Sequence, residues 1–405
     1  MLAPEFLPVW GGVGSYIVEL VKHLPKDMEV HVVTVFRKSI GKYNVSSDEY
    51  DYSIYFDDNV HIHFISTASD TFIYNLKFQY SVARYVPKLI KDEKIDIVHS
   101  HTAHMPDLLL QFRNVKLPIV TTIHTTIKGQ REGTKNSGMG FWKLELSEKA
   151  TFLIYPLLRL AEEIYFMKDR FYITVSNWMK EQLIRQYPKL AKRKIYVVHN
   201  AVDTEFFSYT PNTLKDSITE KKDIVLFTGR LIAAKGANIL VKAIPLILKN
   251  YKDVFFLFIG PGNPEPYIES LKKLGVPKSH YKFLGYIKRR EELVNYYRAA
   301  DIFVAPTFYE NLPIRILEAM SCGVPVVASS VCAIPEAVKN FYNGILVPPG
   351  NHEALASAIL YLLQNPKERK RMGANARYIV ERNFSWNVNA KKIVNIYSKI
   401  LEISK

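Results

Sequence analysis

Short, almost uninterrupted apolar runs recur along the chain: VHVVTVF, IDIVHS, PIVTTIH, FYITVS, IYVVHN, IVLFTG, FFLFIG, DIFVAP and PVVAS. A strand covered by helices on both faces reads this way, because neither face has to meet water. Between the runs the period changes to that of a helix. SYIVELVKHL, for example, places Ile17, Leu20, Val21 and Leu24 on one face. Strand and helix signals in alternation predict parallel βαβ units, and the series runs twice. SYTPNTLKDSITEKKD, residues 208–223, is polar and aperiodic, and is read as the link between two Rossmann-like domains. The expected organisation is therefore α/β, with a first domain over 1–207 and a second over 208–385. The first strand is short, since MLAPEF reaches Pro8 and Gly11 almost at once.

Composition agrees with two cores. A chain of 405 residues, 48% of them hydrophobic, exceeds what one core usually holds. No apolar run is long enough to predict a membrane-spanning helix, and no signal peptide is expected. Two cysteines, Cys322 and Cys332, give no disulfide framework and fit a reducing, cytoplasmic setting. The net charge is +15, and residues 201–405, with 28 Lys/Arg against 18 Asp/Glu, carry +10 of it. That bias favours an anionic ligand in the second half, or an anionic membrane surface. Nucleic acid is not expected, because no module that binds it is present. Residues 141–168 are amphipathic and aromatic. They read as a helix pair interrupted by Pro156, or as a surface that lies against a membrane or a lipid acceptor, which vesicle flotation distinguishes.

Candidate chemistry gathers where strands hand over to helices. Glu310 and Glu318 flank such a junction in TFYENLPIRILEAMSCGVPVVAS, Glu310 on the loop after a strand and Glu318 about a turn into the next helix. Ligands of open α/β sheets bind at that edge. Ionised carboxylates accept only, so the pair suits a ligand rich in hydroxyls, or else is two ordinary solvated acids. In FTGRLIAAKG, Arg230 and Lys235 sit in a strand-to-helix loop, either as a diphosphate clamp or as a solvated basic loop. It is not a Walker loop. GGVGS, Gly11 to Ser15, joins a short strand to a helix. It would let backbone approach an anion, or would serve as a turn needing positive φ. His99, His101, His104 and His124 follow strands with no carboxylate at metal-motif spacing, so no metal is expected. His99 reads as a buried strand residue and His124 as a neutral imidazole in a cleft.

These segments together resemble glycosyltransferase family 4. The resemblance is carried by GGVGS, TVSNWMKEQL, VVHNAVDTEFF, GRLIAAKG, FLGYIKRREELVNYYRAADIFVAPT, YENLPIRILEAMSCGVPVVAS and a late FSW. It implies a GT-B fold, two Rossmann-like domains with parallel sheets facing across a cleft, and a C-terminal helix, 386–405, crossing back to the first domain. It also implies a retaining transfer of a hexosyl group from a nucleotide-diphosphate sugar to an acceptor hydroxyl on a sugar, glycan or lipid, without metal or cofactor. The acceptor would bind the first domain and the donor the second. Arg230 and Lys235 would hold the donor diphosphate, Glu310 the sugar hydroxyls and Glu318 the ribose. Asn311 and Leu312 would give backbone N–H groups, Ile287 would touch the base, Gly12 would approach the phosphates and His124 the reacting sugar. Two departures stand out. The chain reads ENLP where glycine commonly follows the glutamate, and Ala333 stands where glycine usually precedes the late PE pair. The alternatives are a nucleotide-sugar epimerase on the same fold and a non-catalytic protein that binds sugar nucleotides.

Overall fold

The computed structural model describes residues 1–8, 11–37, 39–40, 43–44, 50–68, 73–102, 105–210, 214–219 and 222–404. His104 lies outside the described residues. The chain forms two compact units. The first comprises Met1–Ile127, Ile154–Asn200 and Trp386–Lys405, and the second Lys128–Leu153 and Ala201–Ser385.

In the first unit, β1 (Leu2–Ala3), β2 (Val30–Arg37) and β3 (Val60–Ala68) pair in the order β1-β2-β3. A second ladder runs β4 (Val98–His101), β5 (Ile119–Ile123), β6 (Phe171–Thr174) and β7 (Ile195–Val197). All these pairings are parallel, and β1 lies alongside β4. Helix α1 (Gly12–Lys22) buries the predicted face, Ile17, Leu20 and Val21, and Leu24 follows it into the core. Helix α2 (Ile73–Asp92) packs along β3.

The second unit holds one six-stranded parallel sheet. Its strands are β8 (Asp223–Thr228), β9 (Val254–Ile259), β10 (Tyr281–Gly285), β11 (Ile302–Ala305), β12 (Val326–Ser329) and β13 (Gly344–Val347), in the order β10-β9-β8-β11-β12-β13. Every residue of VFFLFI in β9 is buried, as an unbroken apolar run requires. Ile239, Leu240, Ile244 and Ile247 from one helix and Leu355, Ile359 and Leu362 from another share its core. Each such side chain contributes about 1.5–3 kcal/mol of hydrophobic stabilisation. The sheet order reverses between β8 and β11. The loops leaving those strands therefore diverge to opposite faces and open a crevice at the strand ends.

The division differs from the one expected from sequence in two ways. The chain passes between units at Asn200/Ala201 rather than at 207/208. Residues 128–153, expected in the first domain, pack with the second. The second difference has a local cause. Helix α3 (Ile127–Asn136) carries Gly129 and Gly133 one turn apart, and Tyr309 fills the bare strip. A Cβ on Gly129 would fall 2.0 Å from the Tyr309 hydroxyl oxygen, and one on Gly133 2.3 Å from Tyr309 Cβ. After α4 (Leu146–Leu153) the chain breaks at Ile154, and Pro156 stands in the first turn of α5 (Tyr155–Met167), where a missing N–H costs nothing. The predicted 141–168 helix pair is thus split between the two units. On α5, Leu157, Leu160 and Met167 are exposed. Among the described residues no helix is long and apolar enough to cross a membrane.

Candidate functional site

In the second unit the loops after β8, β9 and β11 press together. Gly236 closes the β8 loop at φ +71, and a Cβ there would lie 1.8 Å from the backbone oxygen of Pro306. Only a glycine allows that approach and that dihedral together. Ala234 O accepts from Phe308 N–H at 2.9 Å and from Thr307 Oγ1 at 2.7 Å, fastening the β8 loop to the β11 loop. Leu231 N–H donates to Pro261 O at 2.8 Å, fastening it to the β9 loop.

This clamp brings Lys235 and Glu310 together. Lys235 Nζ lies 2.5 Å from Glu310 Oε1, with the side chains 20% and 17% exposed. Burial raises the Glu310 carboxyl, but Lys235 and Arg315 outweigh it and hold it below the usual carboxylate range. Burial pulls the Lys235 ammonium down. Glu310 opposes that shift, while Arg315 and Arg230 add to it. Arg230 is exposed and its Nη2 reaches Ser147 Oγ at 3.4 Å. Glu318, in α6 (Ile314–Ser321), is buried, and Tyr297 Oη donates to its Oε2 at 2.7 Å. Tyr297 Oη also lies 2.8 Å from Thr228 Oγ1 at the end of β8, so Glu318 is tied to the strand beside the crevice. Asn311 and Leu312 are buried just ahead of α6, and Ile287 is half-buried in the loop after β10.

Two features escaped the sequence reading. Arg315 is 10% exposed, donates from Nη1 to Thr228 O at 2.5 Å, and places Nε 3.5 Å from Glu310 Oε1. Its signal was a cation in the first turn of a helix, where the macrodipole disfavours one. The other is the 128–153 segment. Glu148 Oε2 accepts from Ala233 N–H at 3.4 Å, and Glu145 Oε1 from Asn263 N–H at 3.4 Å. Carboxylates thus sit on backbone donors beside the basic loop. The Gly129/Gly133 spacing marked the docking strip.

In the first unit Gly12 opens α1, with Gly11 as its N-cap at φ −94. Neither glycine has the positive φ of a tight turn. Among the described residues, a Cβ on Gly12 would meet nothing within 4 Å. His99 and His101 lie at the end of β4, and His124 immediately follows β5. His99 is buried as expected, between Tyr397 Oη at 2.6 Å and Thr122 Oγ1 at 2.7 Å. His101 Nδ1 faces His124 Nε2 at 3.1 Å.

Burial holds all three imidazoles below their ordinary pKa, His124 at about 3. A folded-state value below the unfolded one means that the unfolded chain takes up protons first on acidification. Stability present above pH 6.5 is therefore lost as pH falls, by about 1.4 kcal/mol per pH unit for each such histidine. For His124 the loss runs from about pH 6.5 down to about 3. Thermal unfolding at pH 7, 6 and 5 should show a falling Tm; a constant or rising Tm would sink the expectation.

Two family models match the chain: Glycosyltransferase Family 4 over residues 10–206 and Glycosyl transferases group 1 over 212–378. The chain belongs to glycosyltransferase family 4. As a family 4 member it is a transferase enzyme, and its fold is GT-B. Among its relatives is the phosphatidyl-myo-inositol mannosyltransferase of Mycobacterium leprae, 27% identical over 99% of this chain and 96% of that one. An uncharacterised glycosyltransferase of Methanocaldococcus jannaschii is also 27% identical, over 98% and 96%. Among solved structures, sucrose-phosphate synthase from Thermosynechococcus elongatus superposes with a TM-score of 0.78 at 19% identity, covering 99% of this chain and 98% of that one. The Anabaena protein HepE, in complex with UDP and glucose, gives 0.73 at 18%, covering 98% of each.

Proposed function

We propose that this family 4 enzyme transfers a hexosyl group from a nucleotide-diphosphate sugar to an acceptor hydroxyl, with retention at the anomeric carbon. One observation carries the reading. At the switch point of the second unit's sheet, a lysine, a glutamate and a largely covered arginine stand within ion-pair distance, and the lysine's loop is held against the β11 loop by the close approach of Gly236 to Pro306. The solved relative with UDP and the relative named for a mannosyl transfer support the donor class.

The steps follow the disposition of charge. An arriving diphosphate competes with Glu310 for Lys235, and Arg230 supplies a second cation on the exposed side. Glu310, released from Lys235, accepts from the donor's sugar hydroxyls, while Arg315 keeps it ionised. Tyr297 fixes one oxygen of Glu318, which orients the carboxylate for the ribose hydroxyls. Asn311 and Leu312 present backbone N–H groups, and the base lies along Ile287. In the first unit, Gly12 and His124 take the roles that the family resemblance gives them, toward the phosphates and the reacting sugar. The anomeric C–O bond to the diphosphate breaks, and the two cations stabilise the charge that grows on the leaving oxygen. The new C–O bond forms to the acceptor oxygen on the same face. The acceptor's proton passes to the departing phosphate. No bound metal or cofactor enters this scheme.

A thermal-shift screen with UDP-, GDP- and ADP-sugars tests the donor class. A ligand present at about a hundred times its Kd adds roughly 2.7 kcal/mol of stability, a readily measured rise in Tm. No shift with any nucleotide sugar would remove the reading.

A further inference from the structure

We propose that His101 sets the tautomer of His124, donating its Nδ1 proton to His124 Nε2 so that His124 carries its own proton on Nδ1. Parallel pairing of β4 with β5 places His101 against Thr122, and His124 follows two residues later. The two rings lie 5.3 Å apart at 26° between planes, with the facing nitrogens 3.1 Å apart. Only one of those nitrogens can hold the shared proton when both rings are neutral.

The other end of His101 decides which. His101 is fully buried, and its Nε2 has no hydrogen-bond partner among the described residues. A proton on Nε2 would leave a buried N–H with no acceptor, the rarer and costlier of the two orphans. His99 does not supply one. Both its nitrogens are engaged, by Tyr397 and Thr122, and it meets His101 only by ring stacking at 4.7 Å. The His101 proton is therefore on Nδ1, and His124 Nε2 accepts it. Tyr16 packs edge-on against His124 at 4.7 Å and fixes the ring plane. His124 then acts as an N–H donor through Nδ1, toward a sugar oxygen or a carbonyl, and not as a base. Burial, which holds its pKa near 3, keeps it neutral throughout the working range. His101 is accordingly a positioning residue.

The catalytic consequence rests on the proposed function; the tautomer does not. Proton–nitrogen correlation spectra of the full chain with nitrogen-labelled histidine read it directly. The wild type should show His124 with a protonated Nδ1 and an unprotonated Nε2. His101→Phe keeps the ring stack but removes the donor, and the Nε2–H form of His124 should appear. His101→Asn places an amide N–H where Nδ1 stood and should restore the wild-type pattern. In the transfer assay His101→Phe should lose about tenfold in kcat while the donor KM moves less than about twofold, and His101→Asn should recover most of the loss. A wild-type His124 with its proton on Nε2, or an unchanged tautomer in His101→Phe, overturns the proposal. Should His101→Phe fail to fold, the wild-type and His101→Asn spectra still decide. The stated tautomer in a protein that transfers no sugar would instead count against the proposed function.

Discussion

Replacing Lys235 with alanine should lower kcat/KM for sugar transfer by about a hundred- to a thousandfold, the usual cost of removing one donor that stabilises a developing oxyanion. The reason is where the ammonium sits. It is held on the β8 loop, 2.5 Å from Glu310 and only one-fifth exposed, so its charge is poorly screened and its position is fixed before any donor arrives. The substitution also leaves Glu310 without its nearer cation. Arg315 remains at 3.5 Å and Glu310 is partly exposed, so the stability loss should stay well below the roughly 3–5 kcal/mol of a fully stranded buried charge. The catalytic effect thus dominates, and a near-normal Tm alongside a collapsed rate is the expected pair of results. Arg230→Ala should cost less, because the Arg230 guanidinium is exposed and screened. Wild-type transfer by Lys235→Ala would refute the diphosphate role.

The parts of this site that were legible in sequence are those fixed locally. DIFVAP reads as a covered strand and the stretch from Ile314 as a helix, which put Glu310 on the loop and Glu318 inside α6. FTGR and AAKG had to flank a turn, which put Lys235 at a strand's end. What escaped depends on partners distant in sequence. Arg315 gained its role from Thr228 O and Glu310, and nothing in IRILEAM discloses that neighbour. The 128–153 segment changed units because Tyr309, far along the chain, fills the groove over Gly129 and Gly133. The histidines were visible as HSH and TTIH, but their contact is a matter of strand register: pairing His101 with Thr122 is what brings His124 within reach.

Gly236 offers the sharpest test of how the fold holds the site. Gly236→Ala should destabilise the protein by about 3 kcal/mol or more, because two costs add. An alanine at φ +71 meets the left-handed penalty, roughly 1 kcal/mol. Its Cβ would also stand 1.8 Å from Pro306 O, a backbone atom that moves only if the β8 and β11 loops separate. Gly275 isolates the first cost. It has φ +70, but among the described residues a Cβ there meets nothing within 4 Å, so Gly275→Ala should lose about 1 kcal/mol and retain full transfer activity. Separating the loops breaks the bonds from Thr307 and Phe308 to Ala234 and draws Lys235 away from Glu310. Gly236→Ala should therefore lose activity along with stability, even at temperatures where it remains folded. Urea denaturation of both variants, with transfer rates measured on the folded forms, makes the comparison. Equal losses at the two glycines would mean that the loops yield freely, and that the fixed Lys235–Glu310 arrangement is not what the close approach of Gly236 maintains.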